Sequence, residues 1–278
     1  MPNLSDAVAV LDELYPPQWA ESWDAVGLVC GDPAAEVRRV LFAVDPTQAV
    51  VDEAVAWGAD LVVTHHPLYL RGTTSVAATT AKGRVVHTLV RAGIALHVAH
   101  TNADHADPGV SDALAEAVGL KVTGPLVADP TDPAGRRGSG RIGVLDEPMT
   151  LTAFAAQVAA GLPATAAGVR IAGDPAALVS RVAVCGGSGD SFLAAARDAG
   201  VDAYVTADLR HHPASEASEA APPALVDAAH WATEWPWLDL AARALTEAAG
   251  TRGWQLETRV STLVTDPWTG HAPMPYTA

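Results

Sequence analysis

Residues 39–67 read RVLFAVDPTQAVVDEAVAWGADLVVTHHP: a short β-branched run, an amphipathic stretch, then a second apolar run that stops at proline. That order predicts strand, helix, strand, the unit from which α/β folds are assembled. From Arg181 the pattern returns as RVAVCGG, SFLAAARDAG and VDAYVTADLRHHP. Laid without a gap, 39–64 on 181–206 pairs Arg39 with Arg181, Val40 with Val182, Ala54 with Ala196, Gly58 with Gly200, Asp60 with Asp202, Val63 with Val205 and Thr64 with Thr206. This is an internal repeat. The chain is therefore expected to be α/β, with two lobes built from two similar α/β repeats, mixed β-sheets and flanking helices.

Between the repeats, ADPTDPAGRRGSGR (128–141) is dense in Pro, Gly and Asp and has no apolar period, so it reads as a junction. The expected division is a first lobe over 1–127, the junction over 128–141 and a second lobe over 142–278, whose C-terminal part is free to pack back on the first. After Leu263, VTDPWTGHAPMPYTA lacks periodicity and is expected to be irregular coil.

Composition limits the function. The 278 residues suffice for one large domain or two lobes with their own cores. With 17 basic and 32 acidic side chains the formal charge is −15, which repels polyanions and argues against a broad nucleic-acid surface. The N-terminus, MPNLSDAVAVLDELYPP, mixes acids with apolar residues, so neither a signal peptide nor a membrane span is expected. Cys30 and Cys185 each lie in an apolar run beside glycine and read as buried free thiols, which suits the cytoplasm.

Three strings place metal donors at element ends: THHP (64–67), HTNAD (100–104) and HWATE (230–234). They offer His65, His66, Asp104, His230 and Glu234, a mixed nitrogen and oxygen set suited to divalent transition ions. Neighbouring side chains on a strand face opposite ways, so His65 and His66 serve one site only if the strand has ended, and Pro67 supplies that ending. His100 with Asp104 and His230 with Glu234 repeat one spacing after an apolar strand, where α/β sheets gather ligands. Glu234 is expected at a helix start with Thr233 as N-cap and Pro236 in the first turn. A second His pair, His211 and His212 before Pro213, falls later than the repeat frame requires and reads as a solvated or outer loop pair.

The strings WDAVGLVCGD (23–32), ADLVVTHHPLYLRG (59–72), HTNADHADPGVSDALA (100–115), CGGSGDSFL (185–193), TADLRHHPASEA (206–217) and DAAHWATE (227–234) stand in the order seen in a known family. The chain resembles the NIF-three-like family of dinuclear-metal-centre hexameric proteins, whose members are labelled GTP cyclohydrolase 1 type 2 homologues. The resemblance implies two divalent ions (Zn, Fe, Mn or Ni) held by His65, His66, Asp104, His230 and Glu234, with Glu234 bridging. It also implies a homohexamer with its metal sites on an inner cavity, in the minimal form without an inserted domain. Ala103 stands where leucine is usual and Ala229 where glycine is common; neither removes a donor.

The activity so implied is hydrolysis: water opens the guanine imidazole ring of GTP, or attacks a related small molecule, with loss of formate in the GTP case. Glu234 and His100 are the candidate catalytic residues, with His97 an alternative for proton transfer. No Walker-type loop is present, so triphosphate binding would fall to Arg71, Arg136, Arg137 and Arg210. CGGSGD reads equally as an anion-binding turn or a plain tight turn. Trp231, Trp235 and Trp237 suit base stacking or core packing. The rival class is a non-catalytic metal-binding, metal-delivery or regulatory scaffold protein whose ions pin structure.

Overall fold

The computed structural model describes residues 1–220 and 222–272. The chain runs α1 (Leu4–Leu14), β1 (Gly27–Cys30), β2 (Arg39–Ala43), α2 (Gln48–Trp57), β3 (Leu61–Thr64), α3 (Ala81–Ala92), β4 (Ala95–Val98) and α4 (Thr101–His105). It continues through α5 (Val110–Ala117), β5 (Lys121–Ala128), β6 (Gly138–Thr150), α6 (Leu151–Gly161), β7 (Arg170–Ala172), β8 (Leu178–Ser188), α7 (Leu193–Asp198), β9 (Ala203–Ala207) and α8 (His211–Glu219). β10 (Ala224–Ala228), α9 (His230–Glu234), α10 (Pro236–Thr251) and β11 (Glu257–Val260) complete it. Among the described residues no helix is long and apolar enough to cross a membrane.

Two compact units result, each with one sheet. The first comprises Met1–Gly109 and Trp237–Thr265, with strand order β1-β4-β3-β2-β11. β2, β3, β4 and β11 are parallel, and β1 closes one edge antiparallel to β4. Helices α2 and α3 show how the sequence sets these crossovers. Thr47 and Thr80 cap their N-termini through hydroxyls that accept from Val50 N and Gly83 N, and Gly58 and Gly93 end them in the left-handed conformation. Val50, Val51 and Ala54 then pack with Leu41, Val62, Leu89 and Leu96 in a dry core, where each large aliphatic side chain contributes about 1.5–3 kcal/mol of burial.

The second unit takes Val110–Pro236 and the described residues after Thr265. Its sheet has the order β5-β6-β8-β9-β10-β7, with β8, β9 and β10 parallel and β6 and β7 antiparallel to their neighbours. Buried Arg141 on β6 forks onto both Asp112 oxygens of α5 at 2.8 and 2.7 Å, and its remaining donors reach the Gly138 and Gly140 carbonyls. That satisfies a charge which, left without a partner, would be costly to bury.

The repeat predicted from the sequence is present and extends further than the aligned residues. Asp60 accepts from the backbone N–H groups of Arg38 and Arg39, and Asp202 from those of Ser180 and Arg181. Arg39 reaches the Trp57 carbonyl just as Arg181 reaches that of Ala199. In each unit a helix and an antiparallel edge strand precede the β-α-β-α-β run: α1 and β1 in one, α6 and β7 in the other.

The expected junction is a correction. Residues 129–137 form the loop of the β5–β6 hairpin inside one sheet, with Ala128 paired to Gly138. The Asp132 carboxylate holds the turn by accepting from the backbone N–H groups of Ala134, Arg136 and Arg137. Pro, Gly and Asp mark tight turns within a sheet as readily as they mark linkers. The units divide instead between Gly109 and Val110, so the boundaries 1–127 and 142–278 do not hold. Both cysteines are free thiols. From residue 264 to 272 the tail has no regular structure, and residues 273–278 lie outside the described residues.

Candidate metal centre

In the first unit, three imidazoles gather at the carboxyl ends of β3 and β4. The ladder continues one step past β3, where His65 N donates to Ala43 O and His66 N to Val44 O, and then Pro67 stops it. Both side chains therefore leave the sheet at its end, as the sequence predicts. His65 is fully buried, and its Nδ1–H donates to the Ala99 carbonyl at 3.0 Å. A ring with its hydrogen on Nδ1 carries a lone pair on Nε2, and that nitrogen lies 3.7 Å from Asp104 Oδ1. Two electron-rich atoms this close gain from a cation.

His66 fixes its Nδ1 on Asp45 Oδ1 at 2.7 Å, and Thr265 donates its hydroxyl to the other Asp45 oxygen. His100 fixes its Nδ1 on Asp24 Oδ1 at 2.8 Å, while Asp24 Oδ2 accepts from the amide and hydroxyl of Thr101. Burial opposes ionisation of Asp24, yet the hydrogen bonds from His100 and Thr101 prevail and hold its carboxyl well below the usual carboxylate range. His65, His66 and His100 each bring one ring nitrogen within 4.8 Å of the others. With Nδ1 engaged on each ring, Nε2 is the nitrogen available for an ion. Behind them, the fully buried Trp237 ring packs 5.4 Å from His65 and donates its indole N–H to Tyr15.

In the second unit, α9 carries His230 and Glu234 one turn apart, with His230 Nε2 at 2.9 Å from Glu234 Oε1. His230 Nδ1 meets Asp208 Oδ2 at 2.7 Å, and Asp208 takes the left-handed conformation at φ 56°. Burial alone would depress the His230 pKa, but the Glu234 and Asp208 carboxylates on its two nitrogens overcome it and push the ring up to about 11. The CGG turn makes room for this pair. A Cβ on Gly187 would stand 2.4 Å from Glu234 Oε1 and 3.0 Å from His230 Nε2.

The glycine amides of the same turn argue against the anion-binding reading of CGGSGD. Gly186 N donates to Ser111 Oγ, Gly187 N to Thr233 Oγ1 and Gly189 N to Ala207 O, so these amides are already committed. Thr233 is not an N-cap: its hydroxyl joins Gly187 N to the His230 carbonyl, and Glu234 ends α9 rather than starting a helix. His211 and His212 begin α8 instead of lying in a loop, are exposed and stand apart from the donor groups. His97 faces Asp12 of α1 from within β4, 3.5 Å away, rather than joining the three imidazoles. Arg137 and Arg210 are tied to Asp129 and Asp190, while Trp231 and Trp237 are core. Local pattern does not mark Asp24, Asp45 and Asp208, which orient the histidines, although all three stand in the strings quoted above.

The model of the Duf34/NIF3 (NGG1p interacting factor 3) family matches residues 2–267. The chain belongs to that family. Among curated NIF3 relatives, one from Streptomyces coelicolor is 65% identical over 271 residues, covering 98% of this chain and 95% of its own, and is named "GTP cyclohydrolase 1 type 2 homolog". One of the same name from Mycobacterium tuberculosis is 41% identical over 370 aligned positions, covering 96% of each chain. Of solved structures, a Bacillus cereus protein related to NIF3 superposes with a TM-score of 0.89 at 26% identity, covering 96% of this chain and 98% of that one. A hypothetical Staphylococcus aureus protein gives 0.88 at 30% identity, covering 97% and 99%. The NIF3 fold, with two mixed sheets and flanking helices, is thus the fold of this chain.

Proposed function

We propose that this protein is a divalent-metal-dependent hydrolase acting on a nucleotide or related small molecule. It binds two ions per chain through His65, His66, Asp104, His230 and Glu234. One observation carries the reading. At His65, His66 and His230 the Nδ1 is fastened to a carbonyl or carboxylate, the arrangement by which proteins aim Nε2 at a metal. Bound divalent ions would supply a water acidified towards neutrality and polarise the bond it attacks.

The chain's own groups supply the rest. Ionised Asp24 holds the proton on His100 Nδ1, so Nε2 is the basic nitrogen, able to take a proton and return it to a leaving group. Glu234, only 3% exposed, is a carboxylate that needs a cation beside it, a role His230 fills when no metal is bound. The name carried by the relatives makes GTP the first substrate to test, and assembly as a cytoplasmic homohexamer belongs to the same proposal.

The committed amides of the CGGSGD turn and the paired Arg137 and Arg210 favour a second reading, a non-catalytic metal-binding, metal-delivery or regulatory scaffold. Metal-reconstituted full-length protein incubated with GTP and a nucleotide library, with formate and ring-opened product measured, separates the two. The hydrolase predicts turnover that falls more than about 100-fold in a Glu234→Gln variant of unchanged fold and oligomeric state. No turnover by the loaded wild type favours the scaffold.

A further inference from the structure

Between Asp60 and Asp104 the sequence contains no aspartate or glutamate, although the chain as a whole carries 32 acidic side chains and a net charge of −15. The same stretch holds Arg71, Lys82, Arg84 and Arg91. The fold turns this acid-free stretch into one wall of a cleft of about 340 Å³, opened by α3 against the loops after β2 and β3. Lys82 and Arg84 stand on one side of it, Thr47 and Gln48 on another, and His66 with Asp45 at the end that borders the imidazoles.

The two cations are placed for a ligand rather than for the protein. Neither pairs with a carboxylate among the described residues, whereas Arg38, Arg39, Arg137, Arg141, Arg170 and Arg210 all do. The Lys82 ammonium lies 5.7 Å from the Tyr69 ring centroid, a contact that holds its position without neutralising it. Gln48, which also lines the cleft, uses its amide N–H donors on Asp52 and Thr88, while its buried carbonyl oxygen has no protein donor; a bound hydroxyl would satisfy it. In a strongly acidic chain two cations without carboxylate partners inside a cleft focus the field on small anions, and the Asp45 carboxylate at the end of the cleft is engaged by His66 and Thr265.

We propose that this cleft is a phosphate subsite, in which Lys82 and Arg84 bind the phosphate of a small phosphorylated, hydroxyl-bearing molecule and leave its remainder towards His66. The volume lies near the lower end of the roughly 300–1,000 Å³ typical of ligand pockets, which suits a sugar phosphate or nucleoside monophosphate. The direction given to the ligand rests on the metal-centre reading; the anion binding does not.

Calorimetric titration of the full-length protein with inorganic phosphate, before and after stripping with EDTA, tests it. Phosphate binds in both states, with an affinity that weakens as salt is raised. A Lys82→Gln/Arg84→Gln double variant loses at least about tenfold in affinity, while the surface control Lys121→Gln binds as wild type does. Unchanged phosphate affinity in a folded double variant overturns the proposal, as does a wild type that fails to bind phosphate at tens of millimolar. If the stripped protein binds phosphate but no metal can be restored, the metal reading fails and the subsite stands.

Discussion

At the scale of single residues, the histidines matter less by their presence than by what grips their Nδ1 atoms. Asp24 grips His100 across 76 residues of sequence, Asp45 grips His66 across 21, and Asp208 grips His230 across 22. Metal-donor residue types were legible because THHP, HTNAD and HWATE concentrate them at strand ends. The orienting carboxylates were not, because nothing in local spacing links an aspartate to a ring so far along the chain. Asp24 gives a pH test. Its carboxyl is held below the ordinary 3.8, so its contribution is complete above that pH and drains away as pH falls below it. Asp24→Asn should remove about 1.5–3 kcal/mol at neutral pH, the range for hydrogen bonds to charged groups, and flatten the acid limb of urea-unfolding stability against pH. A variant whose acid limb parallels that of wild type would contradict this account of Asp24.

His230 carries the opposite sign. Its pKa of about 11 stands above the ordinary 6.5, so the stabilisation from its charge is complete below pH 6.5 and lost as pH rises through 11. A metal at Nε2 must displace that proton, so metal uptake should release protons and tighten as pH rises through neutrality. Calorimetry in buffers of different ionisation enthalpy reads the proton directly, and Asp208→Asn, which removes one flanking carboxylate, should shrink the release. Identical heats in all buffers would show that His230 keeps its proton and is no ligand.

Among the elements, the parallel β-α-β cores were readable because both copies keep β-branched strands, an Asp that binds two backbone amides and a left-handed glycine after the helix. The β5–β6 hairpin was not, since its turn has the composition of a linker and its pairing is set by partners across the sheet. The CGG turn after β8 is where backbone and chemistry meet. Gly187→Ala places a methyl against Glu234 and His230 at φ +67°, where a side chain costs about 1–2 kcal/mol. The variant should still fold, unfold at lower urea concentration, and lose the metal that depends on His230 and Glu234. Retention of wild-type metal content would mean that the turn does not shape the site.

For the whole molecule, duplication explains why donors occur twice: each unit follows a parallel strand with a short helix that has His just before or at its first residue and a carboxylate four residues on. The copies have diverged, for Ala207 and Asp208 occupy the repeat positions of His65 and His66, and Asp208 now orients a histidine instead of supplying one. The fold class could be read from periodicity, whereas the unit boundary at Gly109, and the return of Trp237–Thr265 to the first unit, depend on packing that no local pattern encodes. Whether His65, His66, Asp104, His230 and Glu234 hold two metal ions, as proposed, is decided by elemental analysis of full-length protein dialysed against divalent transition salts. About two ions per chain are expected, falling when either His65→Ala or Glu234→Gln is introduced alone. A wild type that retains no more metal than a variant lacking all five donors would contradict it.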